Sequence, residues 1–154
     1  MQVNDKVADF TLQTEEDKTV HLKDYAGKPV VLFFYPRADT PGCTIEACGF
    51  RDVFKKIQQA GAVVLGISRD TPRAQKKFKE KYNLPYTLLA DVDEAVCKQF
   101  DVLKEKNMYG KKVKGIERTT FLIGPDQKLK KIVPKVKPEG HAEEVLEAVK
   151  AAHG

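Results

Sequence analysis

Six consecutive apolar residues, Val30 to Tyr35 (VVLFFY), stop at Pro36, and a few residues later Thr40-Pro41 opens an amphipathic stretch. The apolar run is long enough for a fully buried strand and too short for a typical helix. Thr40 suits the N-cap, and proline suits the first helical position, where its N–H would be unpaired anyway. The order is therefore strand, turn, helix. Cys43 falls in the first turn of that helix, where unpaired backbone N–H groups and the macrodipole favour an anion. Thiols so placed tend toward the thiolate, which is the form that attacks. The position predicts a nucleophile.

Apolar runs recur at Val63–Ile67, Thr87–Ala90 and Thr119–Ile123, with helical patterns near 41–60, 72–82 and 93–100 between them. Such alternation predicts an α/β fold with parallel strand pairs joined by right-handed crossovers. Gly124-Pro125-Asp126-Gln127 reads as a turn into Leu129–Val133, an antiparallel partner, so the central sheet is mixed and flanked by helices. A last helix is expected from about Pro138, with Ala142, Val145, Leu146 and Val149 at helical spacing. The first 25 residues hold two short apolar runs that would form an N-terminal β-hairpin extension. Glu105 to Gly115, rich in Lys and Gly, reads as an exposed loop.

The 154 residues suit one domain, residues 1–154, and the excess of Lys+Arg over Asp+Glu leaves a formal net charge of +5. Three cysteines, an odd number, argue against a disulfide-built secreted scaffold. The sequence shows no apolar signal segment and no run of membrane-spanning length. A cytoplasmic protein without membrane contact is expected.

Cys43 lines up with Ala47, Phe50, Phe54 and Ile57 on one helical face, so it should point toward the core. A buried structural thiol is the alternative, because free cysteine behaves as a small hydrophobe. Cys48 lies about 140° further round the helix and about 7.5 Å along it, placing the two Cα atoms about 8.6 Å apart. A disulfide spans at most about 7 Å without backbone movement. If these cysteines join, the first turns of the helix must unwind, and Gly49 makes unwinding easier. Cys97 reads as a core residue of a short helix, with no chemistry assigned.

Pro36-x-x-x-Thr40-x-x-Cys43 resembles the active-site signature of the peroxiredoxins. A second cysteine five residues on, at Cys48, is similar to the PrxQ or bacterioferritin-comigratory-protein branch. The likeness extends to Val7-Ala8-Asp9-Phe10, Gly66-Ile67-Ser68, Leu89-Ala90-Asp91 and Arg118-Thr119-Thr120-Phe121. It implies a thioredoxin-like fold and a thiol peroxidase acting on hydrogen peroxide and organic hydroperoxides. On that basis Cys43 is the peroxidatic thiolate, Thr40 orients the peroxide, Pro36 shields the sulfur, and Arg118, paired with Glu46, stabilises charge. A sulfenic acid on Cys43 would condense with the resolving Cys48, and thioredoxin or glutaredoxin would reduce the disulfide. The resemblance implies no metal or organic cofactor and a monomer. The Gly-Gly-Leu-Gly and terminal Tyr-Phe motifs of overoxidation-sensitive members are absent, which implies relative resistance to sulfinic acid formation.

Other classes fit less well. A thioredoxin-like disulfide oxidoreductase should carry Cys-x-x-Cys, whereas the spacing here is Cys-x4-Cys. A cysteine hydrolase needs a histidine base, and His21, His141 and His153 all read as surface residues. Zinc binding needs about four sulfur or nitrogen ligands at motif-like spacing, a pattern not seen. A non-enzymatic basic binding module would use the ten lysines between Lys104 and Lys137. Base-stacking aromatics are scarce there apart from Tyr109, so nucleic acid is not expected as a partner.

Overall fold

Residues 30–34 are buried on both faces, and the rest of the molecule is arranged to cover them. A computed structural model describes residues 1–153. Its elements are β1 (Thr11–Thr14), β2 (Thr19–His21), β3 (Val30–Phe34), α1 (Pro41–Gln59), β4 (Val63–Ser68), α2 (Pro72–Tyr82) and β5 (Thr87–Ala90). They continue as α3 (Ala95–Gln99), β6 (Leu103–Met108), β7 (Lys111–Ile116), β8 (Thr119–Ile123), β9 (Leu129–Val133) and α4 (His141–His153). A short 3-10 turn, Leu22–Tyr25, follows β2.

Seven strands form one sheet in the order β2-β1-β5-β4-β3-β8-β9. β3, β4 and β5 run parallel, whereas β8, β9, β1 and β2 pair antiparallel with their neighbours. This is a thioredoxin-like mixed sheet, and the N-terminal hairpin joins it through β1 against β5. The two-residue period of β3 divides the core. Val31, Phe33 and Tyr35 face α1, α2 and α4, while Val30, Leu32 and Phe34 face α3 and the N-terminal segment. Both faces are apolar because both are roofed, as a parallel centre requires.

Helix starts follow the Thr-Pro pairs. Thr71 accepts a hydrogen bond from the Ala74 N–H at 3.2 Å, with Pro72 beginning α2, and Asn83 closes that helix in the left-handed region at φ 53°. Thr40 occupies the same place before α1, but its hydroxyl does not cap the helix; it donates to the Arg37 carbonyl at 2.9 Å.

Two stretches differ from expectation. Residues 105–115 are not an irregular loop. β6 and β7 pair antiparallel from Leu103↔Ile116 to Met108↔Lys111, as a separate two-stranded sheet. Apart from its root, the described side chains of this hairpin are exposed, so no apolar alternation marks it. The last helix begins at His141, after a left-handed Gly140, instead of near Pro138.

β4 passes Phe33 and Leu88 closely at Gly66. A Cβ there would lie 2.8 Å from Phe33 Cζ and 2.9 Å from Leu88 Cδ2. Gly66→Ala is expected to destabilise by about 1–3 kcal/mol through overpacking. Urea unfolding should show a lower midpoint at unchanged slope; an unmoved midpoint would remove the steric explanation.

Candidate active site: a thiol, a guanidinium and a buried carboxylate

α1 presents Cys43, Ala47, Phe50 and Ile57 to the core, as their spacing predicts. Val53 is also buried on this helix, while Phe54 is only partly buried and packs against Tyr86. Cys43 is 1 % exposed, one turn into the helix, with its Thr44 N–H bonded back to the Thr40 carbonyl at 2.9 Å. All three cysteines are free thiols.

Arg118 reaches this thiol from the residue preceding β8. Its Nη1 donates to Cys43 Sγ at 3.3 Å and to Glu46 Oε1 at 2.9 Å. The helix leaves room for it at Gly42, where a Cβ would lie 3.0 Å from Arg118 Nη2. Any side chain at 42 therefore pushes the guanidinium away. Sequence separation is large, yet the register brings the groups together. β8 lies beside β3, Phe34 pairs with Thr119, and the chain leaving β3 enters α1.

Glu46 is 1 % exposed, and its second oxygen, Oε2, has no hydrogen-bond partner. Burial raises its carboxyl from the ordinary 4.5 to about 7, outweighing the pull of the Arg118 guanidinium. Arg118, half-buried, stays cationic: the Glu46 carboxylate and the Cys43 sulfur raise its pKa further against the opposing effect of burial. The cluster is one fixed cation between a sulfur and a carboxyl that share the same nitrogen.

The turn between β3 and α1 is held from the opposite side. The Ala38 N–H donates to Asp70 Oδ2 at 2.7 Å, and Asp39, at φ 60°, accepts from Lys81 Nζ at 2.9 Å and Tyr82 Oη at 2.7 Å. Beneath it, the Tyr35 hydroxyl donates to Gln75 Oε1, and Gln75 Nε2 donates to Ser68 Oγ and to the Leu89 carbonyl. Pro36 and Thr40 are half-buried within this turn. None of the clamping residues carries a local sequence signal, because each contact joins segments far apart in the chain.

Cys48 lies on the half-exposed flank of α1, away from the Cys43 face. Cys97 is fully buried. Burial, then the hydrogen bond and charge of Asp91, push its thiol well above the usual range, in keeping with a packing role. His141, expected at the surface, is instead 2 % exposed: its Nε2 is paired with Thr120 Oγ1 at 2.7 Å and its ring meets Phe50 edge-on. Burial lowers its pKa. The difference is tertiary: the start of α4 packs between Thr120 of β8 and Phe50 of α1. Among the described residues no group of three or more His, Cys, Asp or Glu is placed to hold a metal ion, and no helix is long and apolar enough to cross a membrane.

Because Glu46 is harder to ionise folded than unfolded, the stability it confers is complete below pH 4.5 and lost as pH rises through about 7. In a Cys43→Ser background, Glu46→Gln should flatten this decline, on the order of 2–3 kcal/mol across the window. Urea midpoints measured from pH 4 to pH 8 check it, and an equally steep decline in both proteins would contradict it.

The AhpC/TSA family model matches residues 3–132. A putative peroxiredoxin bcp of Coxiella burnetii is 54% identical over 146 residues, covering 95% of this chain and 97% of that protein. Peroxiredoxin Bcp of Escherichia coli K12 is 41% identical over 150 residues, with 97% and 96% covered. Among solved structures, a cysteine-to-serine mutant of PrxQ from Xylella fastidiosa superimposes with a TM-score of 0.95 at 39% identity, over 100% of this chain and 98% of that one. The bacterioferritin comigratory protein of Xanthomonas campestris gives 0.91 at 42% identity, over 94% and 92%. With a thiol under an arginine at the start of α1 and likeness along nearly its whole length, the chain belongs to the AhpC/TSA family of thiol-dependent peroxidases, in its PrxQ/Bcp branch.

Proposed function

We propose that Cys43 is the peroxidatic residue of this peroxidase and Cys48 its resolving partner. The observation that carries the first assignment is the Arg118 Nη1–Cys43 Sγ contact of 3.3 Å. A guanidinium cannot give up its charge under ordinary conditions, so it holds a permanent cation beside the sulfur. Thiolate sulfur attacks one peroxide oxygen, the O–O bond breaks, and hydroxide or alkoxide leaves. Charge passes from sulfur to the departing oxygen, and a fixed cation nearby stabilises both ends of that transfer.

Thr40 supports the approach. Its hydroxyl proton is engaged by the Arg37 carbonyl, which leaves oxygen lone pairs to accept the peroxide O–H. Pro36, half-buried in the same turn, limits water at the sulfur. Glu46 fixes the guanidinium through Oε1. Hydrogen peroxide and organic hydroperoxides are the proposed substrates.

The sulfenic acid on Cys43 then reacts with Cys48 to give an intrachain disulfide and water. Both cysteines belong to one regular helix, so the bond requires α1 to unwind between them. A dithiol reductant, thioredoxin or glutaredoxin, restores the thiols by exchange. We place the protein in the cytoplasm as a monomer, with no nucleic-acid or membrane partner.

Stopped-flow oxidation by hydrogen peroxide, with disulfide mapping by mass spectrometry, tests these roles. Cys43→Ser should abolish the reaction. Cys48→Ser should keep the first step and accumulate sulfenic acid. Arg118→Ala should slow that step by about 10²–10³-fold; a rate close to wild type would remove the guanidinium from the mechanism.

A further inference from the structure

Three side-chain hydrogen bonds tie α1 beyond Cys43 to the body of the protein. Arg118 holds Glu46 at 2.9 Å, Tyr86 Oη donates to the Ala47 carbonyl at 2.6 Å, and Arg51 of α1 donates to the Tyr82 carbonyl at 2.9 Å. The first belongs to the site already described, and the third lies past Cys48. The second acts on the peptide unit that joins Ala47 to Cys48. That unit sits inside the segment whose backbone must change if Cys43 and Cys48 are to meet.

Tyr86 is well placed for such a contact. It precedes β5, is 3 % exposed, and its ring is fixed edge-on to Phe33 at 5.7 Å and tilted against Phe54 at 6.0 Å. The hydroxyl is thus aimed by packing on residues outside the 43–48 segment. Burial, with the neighbouring Tyr35, Glu46 and Cys48 adding to it, keeps its pKa well above the ordinary value despite the opposing charge of Arg51. It remains a donor at any working pH. Among the described residues its one protein acceptor is Ala47.

We propose that Tyr86 is a positioning residue of the resolving step, its hydroxyl latching the Ala47–Cys48 peptide in the helix and so setting how often residues 43–48 unwind. The inference rests on the proposed resolution of Cys43 by Cys48. The step it governs is balanced without a further reagent: Cys48 sulfur attacks the sulfenic sulfur of Cys43, the S–O bond breaks, and the OH leaves as water with the thiol proton. In the helical state the Tyr86 hydroxyl is satisfied. In the unwound state it loses Ala47 and stays inside the core, so the latch favours the helix and slows disulfide formation. The same delay leaves the sulfenic acid open longer to a second peroxide, which would carry Cys43 to sulfinic acid.

Tyr86→Phe keeps the ring and removes the latch, and Ala47 retains its place in the helical ladder. Losing one neutral hydrogen bond should shift the unwinding equilibrium by about three- to tenfold. Rapid-mixing kinetics should then show an unchanged second-order reaction of Cys43 with hydrogen peroxide, with disulfide formation faster by that factor. The peroxide concentration giving half-sulfinylation should rise in step. Hydrogen exchange of the reduced protein should quicken at residues 44–51 alone. An unchanged or slower resolving step in a variant that reacts normally with peroxide overturns the latch. If wild type itself forms no Cys43–Cys48 disulfide, the reading beneath it fails instead, and mapping the wild-type product separates the two.

Discussion

One nitrogen of Arg118 is shared by the Cys43 sulfur and the Glu46 carboxyl, and the surrounding architecture converges on keeping it there. β8 must lie against β3 so that the residue before it faces the mouth of α1. Position 42 must be free of a side chain, since a Cβ would crowd the guanidinium. Glu46 must be buried one turn along the helix to counter the arginine. A pair with so little water around it contributes weakly to stability as a whole, yet loses much when one partner is removed. Its value lies in holding a cation at a sulfur, which is an electrostatic task and not a structural one.

Much of this arrangement is legible in the sequence, for reasons that can be named. The passage from β3 to α1 is announced by an apolar run and a Thr-Pro start, both local signals, and α2 repeats the second. Cys43 faces inward because four residues at helical spacing share its side. Arg118 carries no such signal: alone it is a charge before a strand, and the family signature was needed to find it. The β6–β7 hairpin escaped notice because outside its root it lacks the apolar alternation that marks a half-buried strand. His141 escaped because a place on the terminal helix does not tell depth, while its partner, Thr120, is set by tertiary packing. Tyr86 and Asp70 act on backbone atoms of distant segments, and such contacts leave no trace in a linear pattern.

The three thiols sit in three different environments. Cys97 is packed against Asp91, whose carboxylate also accepts the N–H groups of Val96 and Cys97, so negative charge and burial together hold its proton. Cys43 is also buried, but it faces a helix start and a guanidinium. Cys48 has neither and sits on a half-exposed flank, available to a partner once the backbone allows. The helix start proposed to activate Cys43 belongs to the same helix that holds Cys48 apart from it. In the proposed cycle, activation and resolution therefore compete for one backbone segment.

The turn before α1 is fastened to other parts of the chain, through Asp70 just past β4 and through Lys81 and Tyr82 at the end of α2. None of these ties runs through α1 itself. In the cycle proposed here, one wall of the pocket moves and the other stays. The unwound segment is then bounded by a waiting Thr40-Pro41 start on one side and by an intact helix of several turns on the other. Helices are slow to nucleate and quick to extend, so recovery after reduction is growth between two existing ends. The enzyme resets by annealing a short gap in a standing helix, without refolding a domain.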